Sequence, residues 1–190
     1  MAKIRTFIAV EASQAIKSQA ASLVERLAQT RAHVKWVAEE QMHWTLKFLG
    51  QVESNDVPRL CQTVATRVEG FQAFEILASG AGAFPSSQRP RTLWLGVEQG
   101  SDAFVCLHQC VEESLFDLGF RREHRRFRPH LTIGRVRRSP RGIAELAEAV
   151  AGQADFFAGS MQVPELVLFA SRLRRTGPQY QPLCRIPLGR

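Results

Sequence analysis

None of the four cysteines forms a C-x-x-C pair, so the spacing of a zinc knuckle or a dithiol redox centre is missing. Cys106 and Cys110 are spaced for one face of a helix, and the set is expected to be reduced, mostly buried thiols. Long hydrophobic runs are missing too. The first, Phe7 to Val10, ends at Glu11 and is too short for a signal-peptide core or a membrane span. A cytoplasmic protein with no membrane partner is expected. The Gly-rich segment 80–91, GAGAFPSSQRPR, lacks the G-K-[ST] ending and the following helix of a phosphate-binding loop. Acids are scarce in one stretch: residues 121–141 hold nine arginines against one acid, Glu123. Such a segment seeks anions.

What is present is enough for a folded core. The chain has 190 residues, 45% of them hydrophobic, and a formal net charge of +7, which suits one compact domain or two fused small lobes. Periodicity predicts a strand at 3–10, then a helix capped by Ser13 with Ile16, Ala20, Leu23, Val24 and Leu27 inward. Extended pieces follow at 34–37 and 43–49, the latter closed by Gly50. A helix from about Ser54 carries Val57, Leu60, Cys61, Val64 and Val68 on one stripe, and a strand follows at 74–79. The segment 80–91 reads as a crossover. The pattern then restarts: a strand at 92–97, a helix at 101–118 stopped by Gly119, a strand at 130–135, a short helix near 142–150, and strands near 161–170 and 180–188.

The two halves share one short motif in the same place. His43-Trp44-Thr45-Leu46 and His130-Leu131-Thr132-Ile133 each follow H-x-T-Φ, where Φ is apolar, in the strand after the first helix of each half. Residues i and i+2 of a strand project to one face about 6.6 Å apart. Each His and its Thr therefore look into one space, while Trp44, Leu46, Leu131 and Ile133 face the core. If the halves pack about a pseudo-twofold axis, both pairs converge on a single cleft. Displacement at phosphorus needs one group to take a proton and another to give one, and imidazole suits both near neutral pH. The hydroxyls of Thr45 and Thr132 would donate to the non-bridging phosphoryl oxygens. A catalytic metal would want a third ligand, and the only acids near either motif are Glu39 and Glu40, so no metal or other cofactor is expected.

Flanking residues follow from parity and charge. Lys47 shares the parity of His43 and Thr45 and is expected to face the cleft. Strict alternation turns Arg135 away from His130, unless a bulge at Gly134 re-aims it. Arg125, Arg126 and Arg128 run into the second motif and are expected to line the approach of an anionic substrate by charge. His108 is expected to be a packed helix residue, His33 and His124 exposed, and Trp36 and Phe48 core residues.

RTFIAV at 5–10, VKWVAEEQMHWTLKFLGQV, GAFPSSQRPRTLWLGV, FRPHLTIGRV and VLFASRL together resemble the 2H phosphoesterase superfamily. Within it, the chain is similar to the RNA 2′,3′-cyclic phosphodiesterases, also called 2′-5′ RNA ligases. The resemblance covers nearly the whole chain. It implies a bilobal α+β fold spanning residues 1–190, with two pseudo-symmetric sheet-plus-helix lobes (roughly 1–80 and 92–190) around a central cleft. It also implies metal-independent hydrolysis of RNA 2′,3′-cyclic phosphate ends to 2′-phosphates, with His43 as proton donor and His130 as acceptor. Arg135 resembles the arginine that the family uses for phosphate or substrate. RNA ends or nucleoside 2′,3′-cyclic phosphates are the expected partners of a monomer. Two alternatives stay open: ATP-independent 2′-5′ ligation as the main direction, and a non-catalytic module that binds RNA ends or nucleotides.

Overall fold

The computed structural model describes residues 2–137, 141–174 and 177–189. Arg138, part of the basic stretch, lies outside them. Strand β1 (Lys3–Glu11) is apolar on both faces: Ile8 and Val10 enter the main core, while Phe7 and Ala9 join a smaller cluster with Val167 and Phe169. Ser13 caps helix α1 (Gln14–Leu27) by accepting the Ile16 N–H at 3.3 Å, and Ile16, Ala20, Leu23 and Leu27 form its buried stripe. Strand β2 (Val34–Trp36), a 3₁₀ turn at Glu39–Gln41 and strand β3 (His43–Glu53) come next. A second 3₁₀ turn at Ser54–Asp56 leads into helix α2 (Val57–Val68), and strand β4 (Phe74–Phe84) follows. The rest of the chain is β5 (Thr92–Val97), α3 (Ser101–Phe116), β6 (His130–Val136), α4 (Ile143–Ala151), β7 (Phe157–Val163), β8 (Glu165–Arg174) and β9 (Gly177–Pro187).

Four sequence expectations need correction. Gly50 does not close β3. At φ +73° it carries the strand through a bulge, where Thr6 pairs with Gly50 but Phe7 with Phe48, and pairing resumes as far as Glu53. Residues 80–84 are not crossover: they extend β4 along β5, which leaves 85–91 as the connection. The single strand near 161–170 is two, with Pro164 at the break. The thiols are also less buried than expected, with Cys106 exposed and the other three half-buried.

The strands form one mixed-order antiparallel sheet, β7-β4-β5-β6-β3-β1-β8-β9, with β2 added on β6. Its middle is narrow: β6 and β3 share one bridge pair, Trp44 with Leu131. Helices α1 and α4 pack on the β7-β4-β5-β6 side, and α2 and α3 on the β3-β1-β8-β9 side. Each side of the sheet therefore draws strands and helices from both halves of the sequence. This exchange sets β3 and β6, the two motif strands, side by side.

Candidate active site

The Trp44–Leu131 bridge fixes the site. Both side chains are fully buried in the core. Continuing the antiparallel register by one residue each way sets His43 beside Thr132 and Thr45 beside His130, on the opposite face. That face opens into a cleft of about 280 Å³ lined by His43, Thr45, Thr132 and Arg135 together with residues of β1, β2 and β9.

The two histidines are anchored identically. Nδ1 of His43 lies 2.7 Å from the Gln41 carbonyl, and Nδ1 of His130 lies 2.7 Å from the Arg128 carbonyl. A carbonyl can only accept, so Nδ1 carries the hydrogen in both rings, and each Nε2 is left for a ligand. The carbonyl two residues upstream thus selects the tautomer twice over.

Aromatic rings hold the imidazoles. Phe7 stacks on His43 with centroids 4.8 Å apart, and Tyr180 meets it edge-on at 5.2 Å. Phe84 meets His130 edge-on at 4.9 Å. This apolar packing lowers the His43 pKa to about 4, against the smaller opposing effect of the Gln41 hydrogen bond. His130 is lowered as well, first by burial, with the nearby Arg135 charge acting in the same direction. Both rings are therefore neutral at pH 7 in the empty cleft. A general base needs that state, whereas a general acid must gain its proton when a phosphate anion enters and favours the imidazolium.

The same shift predicts a pH effect on stability. The unfolded chain protonates His43 near pH 6.5, and the folded chain resists until about 4. Stability is expected to be full above pH 6.5 and to fall by about 3 kcal/mol as the pH drops from 6.5 to 4. Melting temperatures across that window should fall less steeply for His43→Gln than for the unsubstituted protein. Parallel slopes would show that His43 does not contribute.

Mirrored bulges decide the flanking residues. Between β1 and β3, Ile8 pairs with Lys47 and Ala9 with Thr45, so Leu46 is an extra residue. Between β5 and β6, Leu93 pairs with Gly134 and Trp94 with Thr132, so Ile133 is extra. Both fall three positions after the motif histidine, and each inverts the alternation beyond it. Arg135 consequently turns into the cleft. The re-aiming bulge expected at Gly134 sits one residue earlier. Gly134 itself makes room for β2, since a Cβ there would come within 2.8 Å of the Trp36 ring and of Val34.

The equivalent bulge sends Lys47 the other way, correcting the expectation that it faces the cleft. Lys47 is 3% exposed, ion-paired with Glu112 of α3, and donates to the Arg121 carbonyl at 2.9 Å. Phe48 takes the cleft position instead and is 58% exposed, not a core residue. Arg128 is exposed and contributes its carbonyl to His130. Arg125 and Arg126 line a separate groove over α3 with His108, Glu112 and Phe127, not the cleft lined by His43, Thr45 and Thr132. His108 is buried and stacked on Phe127 at 4.1 Å, and His33 and His124 are exposed.

Sequence reasoning missed Arg5, Phe7, Lys35 and Tyr180, which also line the cleft. Arg5 and Phe7 share a parity opposite to Ile8 and Val10, so alternation in β1 held that signal. Lys35 and Tyr180 arrive through strand pairings between distant segments. Among the described residues, no group of three or more His, Cys, Asp or Glu could hold a metal ion, and no helix is long and apolar enough to cross a membrane.

Comparison with known proteins gives the same twofold picture. The profile of the family described as LigT like Phosphoesterase matches the chain twice, over residues 10–94 and 95–180. The RNA 2′,3′-cyclic phosphodiesterase of Thermotoga maritima is 36% identical over 180 residues, covering 95% of this chain and 93% of that protein. Its counterpart from Methanothermobacter thermautotrophicus is 36% identical over 178 residues, covering 94% and 95%. The crystal structure of E. coli LigT complexed with 3′-AMP superposes with a TM-score of 0.75 at 25% identity, covering 98% of this chain and 99% of that one. With two family repeats, each contributing one H-x-T strand to a shared cleft, the chain belongs to the LigT-like branch of the 2H phosphoesterases.

Proposed function

We propose that this protein hydrolyses the 2′,3′-cyclic phosphate ends of RNA to 2′-phosphomonoesters, with His43 as general acid and His130 as general base. The observation that carries the reading is the pair of histidines with matched Nδ1 anchors, both Nε2 atoms free, on strands joined at Trp44–Leu131. His130 Nε2 takes a proton from water as its oxygen bonds to phosphorus. The bond from phosphorus to the 3′ oxygen breaks, and His43 Nε2 supplies the proton that oxygen needs. Thr45 and Thr132 donate to the non-bridging oxygens, and Arg135 offsets their charge. Each turnover leaves His130 protonated and His43 neutral, and exchange with solvent resets them.

One asymmetry of the cleft supports this order of roles. Arg135 lies on the strand of His130. The aromatic surface lies on the other side, where exposed Phe48 stands 5.9 Å from Phe7 and can take a base by stacking. The relatives named as RNA 2′,3′-cyclic phosphodiesterases align over nearly the full length of this chain, which supports the substrate class.

The purified protein is expected to convert an RNA ending in a 2′,3′-cyclic phosphate to the 2′-phosphate at full rate in excess EDTA. Product identity by phosphorus NMR checks the regiochemistry. Release of the 3′-phosphate would reverse the leaving group, and loss of turnover that zinc or manganese restores would overturn the metal-free mechanism.

A further inference from the structure

Lys35 of β2 lies directly opposite Arg135 of β6 in the antiparallel ladder, and both side chains line the cleft. Like charges at directly opposed positions, with Cβ atoms about 4.5–5.5 Å apart, repel and weaken the pairing. Among the described residues nothing in the cleft wall offsets them: its lining includes Arg5, Lys35 and Arg135 and no carboxylate. Neither Lys35 nor Arg135 has an ion-pair partner among the described residues. A position that costs stability in the empty protein is relieved when an anion occupies it.

The charge count exceeds what the reacting group needs. A terminal cyclic phosphate is a diester with one negative charge, and Arg135, on the same strand as His130 and Thr132, already faces it. Lys35 stands one strand beyond, alongside the β6 residues that follow the motif. A nucleoside cyclic phosphate has no second anion to place there. An RNA chain does, in the phosphate that joins its last nucleotide to the one before.

We infer that Lys35 forms a subsite for the internucleotide phosphate next to the cyclic end, so that the enzyme selects the ends of RNA chains over free nucleoside 2′,3′-cyclic phosphates. This rests on the hydrolytic function proposed above and deepens it. Recognition by a single lysine is electrostatic and independent of base identity, and it weakens with salt.

The test compares kcat/KM for a dinucleotide ending in a 2′,3′-cyclic phosphate with that for the matching nucleoside 2′,3′-cyclic phosphate. The unsubstituted protein is expected to prefer the dinucleotide about tenfold at low salt, mostly through KM, with the preference shrinking at higher ionic strength. In Lys35→Gln the ratio should fall towards one, and Lys35→Arg should retain it. A ratio near one in the unsubstituted protein, or a ratio unchanged in Lys35→Gln, would overturn the subsite while leaving the hydrolytic function intact. Turnover of neither substrate would overturn the hydrolytic function and the subsite with it.

Discussion

His43→Ala and His130→Ala are each expected to lower kcat by about 10²–10⁴-fold on an RNA cyclic phosphate, while circular dichroism remains that of the folded protein. The double variant should be little worse than either single one, because the two proton transfers serve one displacement. The roles separate with a substrate whose leaving group departs without a proton, such as a nitrophenolate diester. That substrate should restore much of the rate in His43→Ala and little in His130→Ala, since only the acid becomes dispensable. Equal rescue of both variants would argue against the division of labour, and near-full activity of either on RNA would remove that histidine from the mechanism.

A second large effect is expected at Lys47. The ion pair with Glu112 is buried, and Glu112 also accepts the Glu123 N–H at 3.2 Å, so the pair ties β3 to α3 and to the loop before β6. Lys47→Met leaves a buried carboxylate without its cation, which costs about 3–5 kcal/mol. In a domain of this size that is a fall in Tm of roughly 6–20 °C. Adding Glu112→Leu removes the stranded charge and should recover most of the loss, because a buried ion pair against an apolar pair is often near neutral. Thermal melts of the single and double variants decide this. A double variant no more stable than Lys47→Met would mean that the links to Arg121 and Glu123 dominate, and that the ion pair itself contributes little.

Much of this was legible in the sequence because the strands obey period two and the helices carry clean stripes. Ser13 caps the first helix as predicted, and Ile16, Ala20, Leu23 and Leu27 are its buried face. His43, Thr45 and Thr132 line the cleft, and His130 shares the strand parity of Thr132, because His43 through Thr45 and His130 through Thr132 lie before the bulges, where alternation still holds. Beyond the bulges it fails. A one-residue insertion in the ladder leaves no local mark in composition, so Lys47 was assigned to the cleft and Phe48 to the core, the reverse of where they lie. Strand exchange between the halves was equally invisible, since β4 takes β7 and β1 takes β8 as a neighbour through pairings more than sixty residues apart in the chain.

The mirrored bulges also bear on product fidelity. A site with an unbroken twofold would present the same surroundings to a cyclic phosphate and to that phosphate turned half a revolution, and would cleave either ester bond to give a mixture of isomers. Here the frame is symmetric through the fourth residue of each motif, and the symmetry breaks at the sixth, where one strand offers the phenyl ring of Phe48 and the other the guanidinium of Arg135. The two orientations then differ in energy. On the proposed roles, a nucleotide resting its base on the ring and its phosphate towards the cation would expose only one of its two ester oxygens to His43. Regioselectivity would then rest on a single pair of side chains laid on a duplicated scaffold.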